Sequence, residues 1–425
     1  MVFVLVTSTM LGAGKLDFLA FIFSDKRVTV ISSKLVDVAT PSKEGAMSPR
    51  LTYSKDKLFL TWLEPAVTKK FGKEKPEWRV MFSEWQNKEW GPPRIITSSP
   101  NLFLNWADFP SMISSSSGVL YAHWLEKNAD NMPYAYDVQL AKSEDGGKHW
   151  SRLGHIRKNQ PLHQNSYDGF VSFLPENNGV RAFWIDGRLH ESKDVMTLRT
   201  VLIDKEVGKE EILDKSICSC CGTSAVSLPK GSGIFYRDRT KEEVRDIYKV
   251  RRQNGQWQVP KAVNNDNWEI SGCPVNGPKA INLGNETAVV WFTAVDERPL
   301  VKMAWSDNGG ESFDEPLIID TISPDGPKGR VDVVMIKPGL VLISWLGRNE
   351  EGNAVLYLRV VNKDGQMSES LQVANLKADR KTGFPQLEMK GDRVLVAWRE
   401  KSKLKNNLRI VSLSASEIIS TISLE

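Results

Sequence analysis

The sequence predicts an all-β fold, a single β-propeller of seven four-stranded blades with six as the alternative count, and three observations carry that prediction. A strand-like run ending in an aromatic residue recurs seven times along the 425 residues. Each run is preceded by another strand and a polar turn, and a further strand follows it. No stretch of similar length shows the 3.6-residue apolar period of an amphipathic helix. Four strands in a period of about 50 to 60 residues is the signature of a propeller blade.

The aromatic-ended runs, in order, are LFLTW at Trp62, LYAHW at Trp124, VRAFW at Trp184, GIFY at Tyr236, AVVW at Trp291, LISW at Trp345 and LVAW at Trp398. The turns before them, such as SPRLTYSKDK, FPSMISSSSG and FPQLEMKGD, place Gly, Asn, Asp, Ser and Lys between apolar runs, the composition of hairpin turns. Third strands follow as WRVMFSEW, YDVQLAKS, RDIYKVRR and LVKMAWS. The last unit, from Phe384, supplies only about three strands, and a ring with edges to hide is expected to borrow the fourth from the other end of the chain. RVTVISSKLVDVA, residues 27–39, is the strand predicted to close the ring. The expected organisation is therefore an apolar segment over residues 1–27, a signal remnant or a misplaced start, and a propeller over residues 28–425.

Composition narrows the function classes. A net charge of +4 from 56 basic and 52 acidic residues, with no basic run, gives no footprint for nucleic acid. The apolar stretches MVFVLV and LDFLAFIF are interrupted by Lys15 and Asp17 and fall short of the roughly 20 apolar residues that span a bilayer. No membrane span is expected. The small residues of TSTMLGAG have the flavour of a cleavage region, and export to a periplasmic or extracellular location is expected. The partner expected is a small molecule, a glycan or a metal ion, bound by a monomer.

Two turns between third and fourth strands carry a sharper pattern. SEDGGKHW matches Ser-x-Asp-x-Gly-x-x-Trp through Ser143, Asp145, Gly147 and Trp150, and SDNGGESF matches it through Ser306, Asn308, Gly310 and Phe313. Physically, the Asp or Asn side chain satisfies turn donors, Gly supplies positive φ, and the aromatic ring packs under the hairpin. These turns resemble the BNR or Asp-box repeats of the sialidase-like superfamily, and with the strand period the resemblance covers nearly the whole chain. The resemblance implies that the boxes are structural and lie opposite the functional face.

It also implies what a sialidase would need: an arginine triad clamping a carboxylate, a Tyr–Glu nucleophile and an Asp acid/base. The Arg-Ile-Pro motif that usually holds the first triad arginine is missing. Arginines nevertheless recur just past second strands, as Arg188, Arg237, Arg239, Arg348 and Arg399, with Asp186, Asp238 and Asp246 among them. The turn after strand two shares a face with the loop entering strand one, so these arginines are expected around the channel mouth. Arg188, Arg239, Arg348 and Arg399 are candidate ligand-binding residues there, with inter-blade ion pairing as the alternative. Candidates for catalysis are Tyr167, Asp168, Arg188, Arg237, Asp238, Arg239 and Arg348, although Tyr167 has no identifiable Glu partner.

Three of the four cysteines fall in SICSCCGTSAVSL, as Cys218, Cys220 and Cys221, and the fourth is Cys273 in SGCPVNGP. Aligned on the blades, Cys221 and Cys273 take the position of Pro49, Phe109 and Phe384 at the start of innermost strands. The four should therefore meet at the mouth of the central channel, with Asn276 free to donate or accept beside them. Three chemistries fit: a disulfide from Cys220 or Cys221 to Cys273, a soft-metal site for Cu or Zn with His163 as an added ligand, or a reactive thiol. His123, His149, His155 and His190 read as structural or exposed. The functional expectation is a propeller that binds a metal ion, or an acidic or glycan ligand, at this mouth. The alternative is an exo-sialidase type glycoside hydrolase.

Overall fold

The computed structural model describes residues 34–70, 73–128, 134–158, 166–401 and 406–422. Its strands form seven antiparallel sheets arranged as the blades of one propeller. Blade 1 is built from Met47–Ser54, Lys57–Lys70, Lys73–Gln86 and Arg94–Ser99, and blade 2 from Ser111–Ser114, Leu120–Lys127, Tyr136–Ser143 and Ser151–His155. Blades 3 to 6 repeat the order, with innermost strands Asp168–Pro175, Ser224–Leu228, Lys279–Leu283 and Gly329–Lys337. In blade 7, Gln386–Lys390, Arg393–Lys401 and Asn406–Ser414 are joined by Val36–Val38, which pairs with the last of them in the register Val36↔Ser412, Asp37↔Val411, Val38↔Ile410. The ring thus closes through a strand from the N-terminal side, and the count is seven. The segment 1–27 and the first part of the expected closing run lie outside the described residues.

The aromatic ends of the seven runs sit in second strands and are buried, forming the cores between neighbouring blades. Burial of an indole leaves its N–H needing an acceptor. Trp62, Trp124 and Trp184 donate to carboxylates two residues on, Glu64, Glu126 and Asp186, at 3.0, 2.9 and 3.3 Å. Trp291 and Trp345 donate instead to Asp266 and Asp320, each at 2.7 Å, from the loops that lead into their blades.

The two Ser-led turns have the same bonding. Asp145 Oδ1 accepts from the amides of Lys148 and His149 at 3.0 Å each, while Ser143 Oγ accepts from Gly147 N at 2.8 Å. Asn308 Oδ1 accepts from Glu311 N and Ser312 N at 3.0 Å each, and Ser306 Oγ from Gly310 N at 2.9 Å. Gly147 and Gly310 have φ of +86° and +74°. Trp150 stacks edge-on against Phe82 and Phe313 edge-on against Phe235. The hydrogen bonds from the His149 amide and ring hold the Asp145 carboxyl well below the usual carboxylate range.

Candidate functional site at the channel mouth

The innermost strands leave a cavity of about 60 Å³ on the axis, room for a few ordered waters. Arg50, Asp108, Ser111, Thr223, Lys279 and Gln386 are among its polar lining. Burial and the nearby Arg50 push Lys279 down to about 8, and its ammonium lies 3.6 Å from Asp332. Burial raises Asp108 and Glu388 to about 7. Gly222, Thr223, Gly277 and Pro278 also line the cavity, so the two cysteine-bearing loops form part of its wall.

These loops enter blades 4 and 5 and touch backbone to backbone. A Cβ on Gly277 would stand 1.9 Å from the carbonyl oxygen of Gly222, so only glycine permits the approach. Val275 has φ of +49°, costly for a β-branched residue, and packs on the cysteines. Asn276 locks the loop in place: its amide donates to Cys221 Sγ at 3.4 Å, its Oδ1 accepts from Arg330 N at 2.7 Å, and its Nδ2 donates to the carbonyls of Pro274 and Lys328, each at 3.2 Å. The Asn276 side chain therefore works inside the protein rather than offering itself to a ligand.

All four cysteines are free thiols in this structure; Cys218, Cys220 and Cys221 are buried and Cys273 is exposed. Cys218 Sγ lies 3.8 Å from Cys220 Sγ and 3.5 Å from Cys221 Sγ, and the three sulfurs all lie within 4.8 Å of one another. Cys273 stands 3.5 Å from the Oγ of Ser219, the residue between Cys218 and Cys220. Hydrogen bonds from Cys220 and Cys221 hold the Cys218 thiol well below its ordinary value, and the reciprocal bond raises Cys220. Arg245 Nη1 donates to Cys218 Sγ at 3.5 Å, placing a fixed cation beside the sulfurs. His163 lies outside the described residues.

The expected arginine face is largely bound up in internal pairs. Arg188 makes a bidentate pair with Glu210, both contacts 2.7 Å, and a 2.7 Å pair with Asp186. Arg239 pairs with Glu243 at 2.6 Å and Asp194 at 3.0 Å. Arg237 is 1% exposed and donates to the carbonyls of Asn276, Arg245 and Phe292, with its guanidinium over Trp268. These three hold loops together. Asp246 accepts from the amides of Asn267 and Trp268, and burial raises Asp238 to about 7.

Tyr167 stacks on Tyr136 and its hydroxyl donates to the Ser219 carbonyl, while burial pushes its phenol well above its ordinary value, opposite to what a nucleophile requires. Asp168 is buried against Arg157, which also pairs with Asp137 at 2.8 Å. Arg399 donates to the Lys381 carbonyl at 3.4 Å. His123 is buried in a strand against Phe173, which pushes it down to about 3; His149 and His155 bond Asp145 and Gln139, and His190 lies 3.4 Å from Asp194.

Sequence reasoning missed Arg330. It has φ of +53°, and its guanidinium lies against both rings of the stacked Trp106–Phe384 pair, 5.0 and 5.6 Å from their centroids. With half-buried Lys328 and Arg348 it forms a cationic group on blade 6, where burial first and then both arginines depress the Lys328 ammonium. Only the glycines just before it in GPKGR hinted at an unusual backbone there.

No protein-family model matches the chain, and no curated protein does. Among solved structures it is similar to the BP39L lectin from Burkholderia pseudomallei, with a TM-score of 0.56 and 13% identity over 92% of this chain and 97% of that one. It is also similar to the α-L-arabinofuranosidase Arb93A from Fusarium graminearum, with a TM-score of 0.47 and 12% identity over 92% and 99% of the two chains. The NanB sialidase from Streptococcus pneumoniae gives 0.44 and 12% over 92% and 71%. At these identities the likeness is one of fold.

Proposed function

We propose that this propeller binds one soft metal ion, Cu(I) in preference to Zn(II), at the mouth of its channel through Cys218, Cys220 and Cys221, with Cys273 beside them. The observation that carries the reading is the spacing of the three buried sulfurs at 3.5 to 3.8 Å for the two closest pairs. Sulfurs bound to one metal at about 2.3 Å in tetrahedral geometry stand about 3.8 Å apart. An all-sulfur donor set is the soft kind that selects Cu(I). Arg245 offsets part of the negative charge that three thiolates bring to a buried site.

The test is elemental analysis of protein purified without chelator or metal-affinity resin, with thiols titrated under denaturing conditions on the same sample. About one copper or zinc per chain together with four titratable thiols is expected, and substituting Cys218, Cys220 or Cys221 by Ser should remove most of the metal. Absence of metal with two or fewer thiols would replace the reading with a disulfide between the blade 4 and blade 5 loops.

A second reading, an acidic or glycan ligand at the same mouth, rests on Trp106, Phe109 and Phe384, half-buried rings beside the Lys328–Arg330–Arg348 group. Aromatic faces and guanidinium groups are the usual partners of sugars and carboxylates. The BP39L lectin has the same kind of fold. The glycosidase alternative is disfavoured by the pairing of Arg188 and Arg239 and by the raised Tyr167. Turnover of a fluorogenic sialoside that is lost in Arg348→Ala would reinstate it.

A further inference from the structure

Resting on the metal-site reading, we propose that Cys273 is the ligand through which the metal enters and leaves, so that the site exchanges Cu(I) with low-molecular-weight thiols. The four cysteines are not equivalent. Cys218, Cys220 and Cys221 come from one turn, are 1%, 9% and 1% exposed, and are covered by Val275. Cys273 comes from the neighbouring blade's loop, is exposed, and lies against Ser219, the residue between Cys218 and Cys220. A sulfur open to solvent and held against the turn that carries the buried set is the geometry needed for stepwise ligand replacement. The Ser219 hydroxyl, 3.5 Å from Cys273 Sγ, holds that sulfur over the entrance.

The exchange is a ligand substitution at constant oxidation state. The Cys273 thiolate forms a bond to the incoming copper as one bond to the donor thiolate breaks. The buried thiolates then replace the remaining donor and Cys273 in turn. Each protein thiol that binds releases one proton, taken up by a departing donor thiolate or by solvent, and no electron is transferred. Release to an acceptor runs the same steps backwards.

The experiment loads wild type, Cys273→Ser and Ser219→Ala with Cu(I)–glutathione and follows removal of copper by bathocuproine disulfonate. Cys273→Ser should keep about one copper per chain with little change at equilibrium, and should load and release about tenfold more slowly. Ser219→Ala, which leaves all four sulfurs, should fall between the two. Iodoacetamide on the loaded wild type should modify one thiol, Cys273. Unchanged rates in Cys273→Ser, or loss of copper stoichiometry in that variant, would overturn the exchange role, the second because Cys273 would then be a structural fourth ligand. Failure of the wild type to bind copper at all would overturn the metal-site reading itself and this role with it.

Discussion

At the scale of single residues, Asp108 offers a sharp electrostatic test. Its carboxyl is 3% exposed, accepts the Phe170 amide at 2.9 Å, and is raised by burial from 3.8 to about 7. Between those values the folded chain holds a proton that the unfolded chain has released. The stability this group contributes is therefore fully present below about pH 4 and is lost as the pH rises towards 7. Asp108→Asn keeps an acceptor for Phe170 and cannot ionise. Its stability relative to wild type should improve between pH 4 and pH 8 by on the order of 3 kcal/mol, measured by urea unfolding at both pH values. A difference independent of pH would mean that the carboxyl is not protonated in the fold. At this scale the sequence was most informative about sulfur, because three cysteines in four residues are brought together by chain connectivity alone. It was least informative about arginine. Arg188 and Arg239 each pair with one near carboxylate, Asp186 or Glu243, but their second partners, Glu210 and Asp194, lie 22 and 45 residues away along the chain, beyond any local pattern.

At the scale of elements, the meeting of the two cysteine loops depends on Gly222 and Gly277. Gly277→Ala must push its Cβ away from a carbonyl oxygen 1.9 Å distant, and is expected to destabilise the protein by about 2 kcal/mol and to weaken copper binding in a competition titration. Gly255→Ala meets nothing within 4 Å but is strained by its φ of +79°, so it should cost some stability while leaving copper binding unchanged, and it serves as the control for the copper readout. The Ser306 turn gives a second test. Asn308→Ala leaves two backbone amides without their acceptor and should cost about 1 kcal/mol in thermal or urea unfolding, with no effect on copper. Second strands were legible because burial on both faces makes them near-continuous apolar runs that end in an aromatic ring. Outer strands such as Leu317–Ile318 and Lys261–Ala262 were not, since two residues carry no period. The irregular entries to blades 1, 3 and 6, where Ser48, Phe170 and Arg330 have φ between 53° and 55°, were also hidden, because none of these residue types announces a left-handed backbone.

At the scale of the whole molecule, the repeat predicted the ring and the incomplete last blade predicted its closure, since an unpaired edge in blade 7 had to find a partner. What repetition could not convey is the form of the closure: among the described residues, Val36–Val38 pairs with Asn406–Ser414 over three residues. Removing residues 1–40 should lower the thermal midpoint by about 5 °C or more and broaden the transition, as followed by circular dichroism. An unchanged melting curve would show that blade 7 holds without its outer strand. Every other blade is joined to the next by covalent chain, whereas here continuity rests on hydrogen bonds that a second molecule offers equally well. Under mild heating at high concentration, the freed Val36–Val38 segment of one molecule can pair with blade 7 of another. The seam that completes the ring is thus also the natural point for strand exchange between molecules, in which each ring is finished by its neighbour.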